Sequence, residues 1–578
     1  MNTTTEQIRA QYRLLDQKLA SFSYELNSRK EFEEQIFCPK KERQAELTET
    51  LAQLKQQVQE LPVPEPQFDV VKGHLEDFAE GLAGQIKGMY RNPGQALGAI
   101  LWREDALRRD HRDPETRKQL LMKIWKQLPD VWDAIRGWIS ELPVDVQQST
   151  RATLLAGADE LRVGSWEQEQ ARKSPNPLFA EPSWGNQPDL EACREETAKL
   201  LEQYAEELAD RLDAAGEQKD VQPDEVRTLQ MPEGEYETLL WNNLGVKLSE
   251  LLRWGESEME KTRKDCFDRA AVLAAGKGEK APETMNGVNE LLLRYAGPAD
   301  SPEEMFTRAA GYLKRTRALA HSIVPLPEEE ICDLMPTPWK LRESFPWGGY
   351  SDGDIEERPA HGGMFLNQYN YRAITDGWMK MNCLHEAYPG HHVQYVRTIS
   401  DPIPETMKIG AKSIAIMEGM AHRTERVYEN LYAEDPFFPL FVSYRRHHTA
   451  VRIQADLMLY YYGRPIAEVV KLYQEELGFD EKTARGQVRA QENMPGYFTA
   501  YYYGMKTICD WEQEFGYERD DYTRLLFSLS NVSLETFRKV LELTPEQRND
   551  FFHGFRSLYM EAPDYEEVIV QKQGSEYR

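Results

Sequence analysis

The sequence predicts a mostly α-helical body, and three observations carry that expectation. Apolar residues recur at helical spacing over most of the chain, the pattern is interrupted at Pro- and Gly-rich stretches, and one short segment alternates like a strand. With 578 residues, the chain exceeds the size at which one core stops growing. A large cleft-forming body or two tightly joined subdomains is therefore expected.

Taken in order, Thr5 to Leu61 carries leucines and aromatics at helical spacing until Pro62–Pro66 breaks it. Its apolar spacing is not a sustained heptad, which argues against a coiled coil. Helical stretches follow at Val71–Tyr90, Pro114–Ile139 and Val144–Lys173. Ser174 to Asp189, rich in Pro, Asn and Gly, reads as a linker, and Asp220–Gly234 as a second break after helix Leu190–Ala215. Tyr236–Ala275 and Pro302–Ser322 read as helix again. Ile323–Gly363 is Pro/Gly-rich and is expected to wind over the surface, Gly363–Tyr371 alternates as a strand, and helices resume after Asp376. We divide the chain into an N-terminal helical region (1–173), a central helical region (190–330) and a chemistry-bearing region (331–578) that forms one unit with the central one.

Composition excludes several functions. Net charge is -27, which repels phosphate backbones and argues against nucleic acid as partner. No run of eighteen apolar residues exists to span a bilayer, and Met1–Ala20 lacks the pattern of a secretory signal. The six scattered cysteines include no C-x-x-C pair, as expected of reduced thiols in the cytoplasm. No phosphate-binding loop, dinucleotide fingerprint or nucleophile elbow is present.

Seven of the eleven histidines fall between His361 and His448, centred on His385-Glu-Ala-Tyr-Pro-Gly-His-His392. In the zinc-peptidase pattern H-E-x-x-H, two imidazoles share one helical face and the Glu reaches the water. Here the spacing is longer. On an ideal helix His391 would stand about 120° from His385, and His392 on the same face but ~10 Å further along. Pro389-Gly390 allows a bulge absorbing two residues, which would return His391 to the productive position. His391 is thus the preferred second ligand and His392 the competitor. The remaining histidines (His361, His422, His447, His448) read first as core or surface groups, and Arg452 and Asp456 at i, i+4 as a helical salt bridge.

The segment Cys383–Gln394 closely resembles the H-E-x-x-P-G-H-H-x-Q signature of a largely bacterial family catalogued as domain of unknown function 885 and grouped with gluzincin-type metallopeptidases. Further stretches resemble the same family: Tyr236–Met259, Phe365-Leu-Asn367, Glu418-Gly-Met-Ala with Glu425, Arg452–Asp456, and Pro495–Gly504. The match is clear over about 230–578. Three positions depart from it: Met420 replaces a Trp, Tyr497 a Gln, and Tyr460 a His, which puts substrate choice and rate in question while sparing the ligands.

The resemblance implies a gluzincin-like helical body with a deep cleft, a small β element near the metal site, and one Zn2+ held by His385, His391 and Glu418. Glu386 would take a proton from water and deliver it to the leaving amine. Tyr501 would donate to the developing oxyanion, though its place among four tyrosines also fits packing. Glu425, two turns after Glu418, would orient a ligand histidine. Asn367 would lie along an extended substrate as part of an edge strand. By the same resemblance Tyr460 would stand in for the missing His; apart from it, Arg452 offers recognition of a substrate carboxylate as the alternative to its salt bridge, with Arg445 and Arg446 behind it.

The expected activity is a metallopeptidase acting on short peptides or peptide ends. The alternatives are hydrolysis of a non-peptide amide, such as an acylated amino acid, and a silent binding protein with a structural metal. The substrate's identity and the oligomeric state are not legible in these residues.

Overall fold

The computed structural model describes residues 4–555 apart from 102, 109–111, 174–187, 215–222, 338–340, 343–344 and 354–358. Most of the proposed linker after Lys173 therefore lies outside the described residues.

Helices dominate, as the apolar spacing requires. The first predicted stretch is two helices, Thr5–Asn27 and Lys41–Gln59, because Ser28 turns left-handed (φ 54°) and ends the first. Pro66 then occupies the first turn of Pro66–Arg91, where its missing N–H costs nothing. Pro114–Ile139 likewise divides, into Pro114–Trp125 and Leu128–Arg136. Val144–Lys173 packs against Pro188–Ala214. The Tyr236–Ala275 stretch is interrupted by a π turn at Leu240–Leu244 before Leu248–Gly276.

The Pro/Gly-rich segment departs from expectation. It contains two strands, β1 (Ile331–Pro336) and β2 (Gly348–Ser351), which flank β3 (His361–Leu366) in the order β1-β3-β2. β1 pairs parallel with β3 from Ile331↔His361 to Pro336↔Leu366, and β2 pairs antiparallel. β3 is thus the central strand and not an edge. From Gly363 to Leu366 both its rows of backbone groups face a neighbouring strand, so that stretch has none to offer an extended ligand.

Five helices position the site: α1 (Asp376–Asn382), α2 (His391–Ser400), α3 (Ile414–Val427), α4 (Phe438–Asp456) and α5 (Thr499–Glu514). α1 starts where the Thr375 hydroxyl accepts from Trp378 N. α3 and α5 cross at two glycines. A Cβ on Gly504 would stand 1.7 Å from the Ala415 carbonyl oxygen, and one on Gly419 2.4 Å from Gly504 C, so no larger residue fits either position.

The N-terminal helices join this region through buried polar links. Asp16 accepts from Glu405 N, Thr406 N and Thr406 Oγ1, and the Lys412 ammonium meets Asp77 and Glu80. No helix among the described residues is long and apolar enough to cross a membrane.

Candidate metal centre

His385 lies in a π turn, Cys383–Ala387, that continues α1. The turn stops at Tyr388, whose backbone is extended (φ -134°, ψ 124°), and a new helix begins at His391. The expected bulge within one helix is therefore a break between two. Proline has no N–H with which to continue the first turn, and Gly390 lets the second helix start against the first, because a Cβ there would meet the His385 carbonyl oxygen at 2.0 Å. The two imidazole rings end 5.0 Å apart and nearly perpendicular.

From α3, Glu418 completes a triad. The Nε2 atoms of His385 and His391 each lie 3.4 Å from Glu418 Oε2, and one ligand atom from each residue can be chosen so that all lie within 4.8 Å of one another. Each ring is fixed from behind. His385 Nδ1 donates to Glu425 Oε1 at 2.7 Å, while His391 Nδ1 donates to Gln394 Oε1 at 2.7 Å, whose amide in turn donates to Met417 O. With Nδ1–H committed, both Nε2 lone pairs face a buried carboxylate oxygen that has no hydrogen-bond donor. Lone pairs facing a carboxylate repel unless a cation lies between them.

Without a metal that cation is a proton. Burial presses the His385 pKa down, but the Glu418 carboxylate 3.4 Å away, the bond to Glu425 and the field of Glu386 overcome it and raise it to about 10. His391 is raised likewise, burial opposing and Glu418 favouring its charge. Burial would lift Glu418, yet the two imidazoles hold it well below the ordinary carboxylate range.

The donor set fits a divalent ion. Zinc takes His nitrogen at ~2.0–2.1 Å and carboxylate oxygen at ~2.0–2.2 Å, and the edge of such a tetrahedron is ~3.4 Å. The two Nε2–Oε2 separations match that edge.

The surroundings complete the site. Tyr497, where the resembled family has Gln, donates its hydroxyl to Glu418 Oε1. Tyr501 lies parallel to the His385 ring, 6.0 Å between centres, and is half-buried. Glu386 is half-buried and close enough to act electrostatically on His385, His391 and Tyr501. His422 bridges Glu425 Oε2 (2.9 Å) and Thr449 Oγ1 (2.8 Å), one step behind the triad.

Other residues of interest lie elsewhere. His392 turns away from the triad: Nε2 meets Glu330 Oε2 at 2.6 Å, and Nδ1 accepts from Tyr350 OH at 2.9 Å. Its ring cannot serve the ion because helix geometry directs it about 100° from His391. Asn367 is fully buried as the cap of Gln368–Ala373, accepting from Tyr369 N and Asn370 N and donating to Arg342 O and Phe345 O, so its side chain is spent within the protein. Tyr460 sits past the end of α4, stacked on Tyr236, with its hydroxyl donating to Gln491 O.

The Arg452–Asp456 salt bridge is replaced by other contacts. Asp456 is taken by Tyr236 OH, Gln491 Nε2 and Gly496 N, and burial lifts its pKa to about 7. His447, His448 and His361 bond to Thr262, Gln487 and Asp333, away from the triad. Gln394 closes the quoted signature but was given no role from sequence, and Glu330 was not singled out. The i, i+3 spacing of His391 and Gln394 was the available signal for the first; Glu330, 62 residues before His392, carried none.

Two solved structures share the fold. The "putative lipoprotein" of Colwellia psychrerythraea is 16% identical, with 96% of this chain and 100% of that one covered at a TM-score of 0.69. A "putative lipoprotein of unknown function" from Shewanella oneidensis is 12% identical, covered over 93% and 100%, at 0.68. No curated protein matches the chain. Residues 30–521 match the model of a family described as bacterial protein of unknown function (DUF885), and the chain belongs to that family.

Proposed function

We propose that this protein is a metal-dependent hydrolase of peptide or related amide bonds, with His385, His391 and Glu418 holding one divalent ion, zinc by the chemistry of the donors. One observation carries the reading: a buried carboxylate oxygen without a donor, 3.4 Å from each of two imidazole nitrogens whose far sides are already bonded.

When bound, such an ion supplies Lewis acidity, polarising a carbonyl and lowering the pKa of water toward neutrality. The protein does the rest. Glu425 and Gln394 hold the two imidazoles in the tautomer that leaves Nε2 free. Glu386, adjacent to a ligand and reachable by solvent, accepts the proton of the attacking water at its carboxylate and passes it to the departing nitrogen. Tyr501, with burial holding its hydroxyl protonated far above neutral pH, is the donor available to a developing oxyanion. The six unpaired cysteines fit a reducing compartment, the cytoplasm.

The test is metal analysis together with a panel of peptides and acylated amino acids. The zinc-loaded protein should cleave members of the panel. Glu386→Gln should keep the metal and lose ~10²–10⁴-fold in turnover. Metal retained with no turnover on any substrate by the unaltered protein would instead indicate a binding protein with a structural ion.

A further inference from the structure

Beside the triad lie two buried guanidinium groups whose charge no carboxylate has to itself. Arg445 and Arg452 stand two turns apart on α4, 5% and 6% exposed, with their guanidinium carbons 5.5 and 5.4 Å from the centre of the Tyr501 ring. Arg445 Nε is buried with no hydrogen-bond partner. Its nearest carboxylate is Glu425, 3.9 Å away and already engaged by His385 and His422. Arg452 donates to the neutral amide of Gln487 and lies over Phe498 and Tyr501. Asp456, one turn further on, is spent on Tyr236, Gln491 and Gly496. Burial and the charge of Arg445 lower the pKa of Arg452 to about 10, as expected of two cations sharing one low-dielectric wall.

Keeping two such groups buried is costly, and ring stacking recovers only part of the cost. The charges around Tyr501 show what is missing. A divalent ion with two guanidinium groups brings four positive charges against the three carboxylates Glu386, Glu418 and Glu425. One further anion restores the balance. The ring that carries both arginines is itself stacked on ligand His385, 6.0 Å away. The guanidinium groups thus lie no further from His385 than those two steps together, a span about three extended residues at ~3.5 Å each would reach.

We infer that Arg445 and Arg452 form the site for the free α-carboxylate of the substrate, so that the enzyme releases short carboxyl-terminal pieces, of up to about three residues, from peptides or acylated amino acids. This rests on the hydrolase reading above and gives it a substrate class. A guanidinium pair on an aromatic wall matches the planar, bidentate geometry of a carboxylate. A carboxyl-terminal amide leaves both cations unpaired.

The experiment compares the same short peptides with free and amidated carboxyl termini. Cleavage by the zinc-loaded protein and thermal stabilisation of Glu386→Gln are both measured. Amidation should reduce kcat/KM more than ~100-fold, since a site built for a polar group rejects analogues lacking it. Arg452→Met should collapse that ratio below ~10-fold, and Arg445→Lys, which keeps the charge but not the fork, should lower it less. Melting curves of each variant establish folding, and the acid-to-amide ratio reports on the site at any residual rate.

Equal cleavage of acid and amide would overturn the inference and leave the hydrolase standing. If neither is cleaved, but acids alone raise the melting temperature of Glu386→Gln and not of Glu386→Gln/Arg452→Met, hydrolysis falls while the carboxylate site is supported. Neither cleavage nor stabilisation would overturn both.

Discussion

Glu418 and Glu330 are both buried carboxylates flanked by two imidazoles, and His391 and His392, adjacent in the chain, divide between them. Around Glu330 every oxygen is saturated. Oε1 accepts from Arg317 at 2.7 Å and His321 at 2.8 Å, and Oε2 from Tyr388 at 2.5 Å and His392 at 2.6 Å. Around Glu418 the imidazole nitrogens stand off at 3.4 Å, and Oε2 has no donor. The same three residue types make a closed hydrogen-bond hub in one place and a gap of cation size in the other. Residue identity therefore does not distinguish a structural cluster from a metal site; the free distance and the direction of the second ring nitrogen do. Glu330 also ties Tyr388 and His392 to one point, and so holds both ends of the break that places His391.

Substituting each carboxylate by its amide separates the two roles, and the largest effect is expected at the gap. Glu418→Gln should lower zinc affinity by more than ~100-fold, because loss of a ligand exceeds the 10–100-fold typical of losing a partner behind one. Metal content after dialysis checks this. Comparable metal retention in variant and parent would remove Glu418 from the ligand set.

Glu330→Gln should instead destabilise the metal-free protein by about 3 kcal/mol, the lower end for breaking a buried ion pair because Arg317 reaches solvent. The contrast extends to pH. Burial would raise the Glu330 pKa, but His321, His392 and Tyr388 hold it at about 2, below the ~4.3 of an unfolded Glu. Its stabilising contribution is therefore complete above pH ~4.3 and is lost as pH falls through 2. Urea unfolding at stepped pH should show that acid limb flattened in Glu330→Gln. An unchanged limb would mean that the hub does not set acid stability.

At the gap, the sign concerns binding. In the metal-free protein His385 keeps a proton until about pH 10, whereas a zinc ligand must be neutral. Zinc binding at pH 7 should release about one proton or more, measured as the dependence of calorimetric heat on buffer ionisation enthalpy. Zero release would show that the imidazoles are already neutral and that the repulsion inferred between their lone pairs and Glu418 is relieved otherwise.

Much of this arrangement is legible in the sequence, and what is not has physical causes. Helical content follows from apolar spacing, and Pro389-Gly390 announces that the chain departs from a helix between two histidines. Whether it bulges or breaks depends on how closely the next helix can approach the His385 carbonyl, a packing fact. The choice between His391 and His392 depends on Glu330, which has no spacing relation to either. β1 and β2 were hidden because β1 (ICDLMP) lacks clean alternation and β2 is four residues that begin with two glycines, and they exist through pairing with β3. Arg452 and Asp456 had the right spacing for a salt bridge, but Tyr236 and Gly496, distant in sequence, offer Asp456 better partners.

Two smaller substitutions sharpen the contrast from the imidazole and carboxylate sides. Gln394→Leu removes the acceptor that fixes His391 and should weaken zinc binding ~10–100-fold, read by competition with a chromophoric chelator. Tyr497→Phe should have the smallest effect. The phenol donates to Glu418 Oε1, the oxygen that does not face the imidazoles, and a hydrogen bond to a charged group contributes about 1.5 kcal/mol, or roughly tenfold in affinity. Tyr497→Gln, the residue of the resembled family, keeps a donor and should recover most of that loss if its amide reaches the same oxygen. No loss in Tyr497→Phe with a full loss in Tyr497→Gln would mean that Glu418 relies on the ring filling the wall beside Tyr501, 5.9 Å away, and not on the hydroxyl.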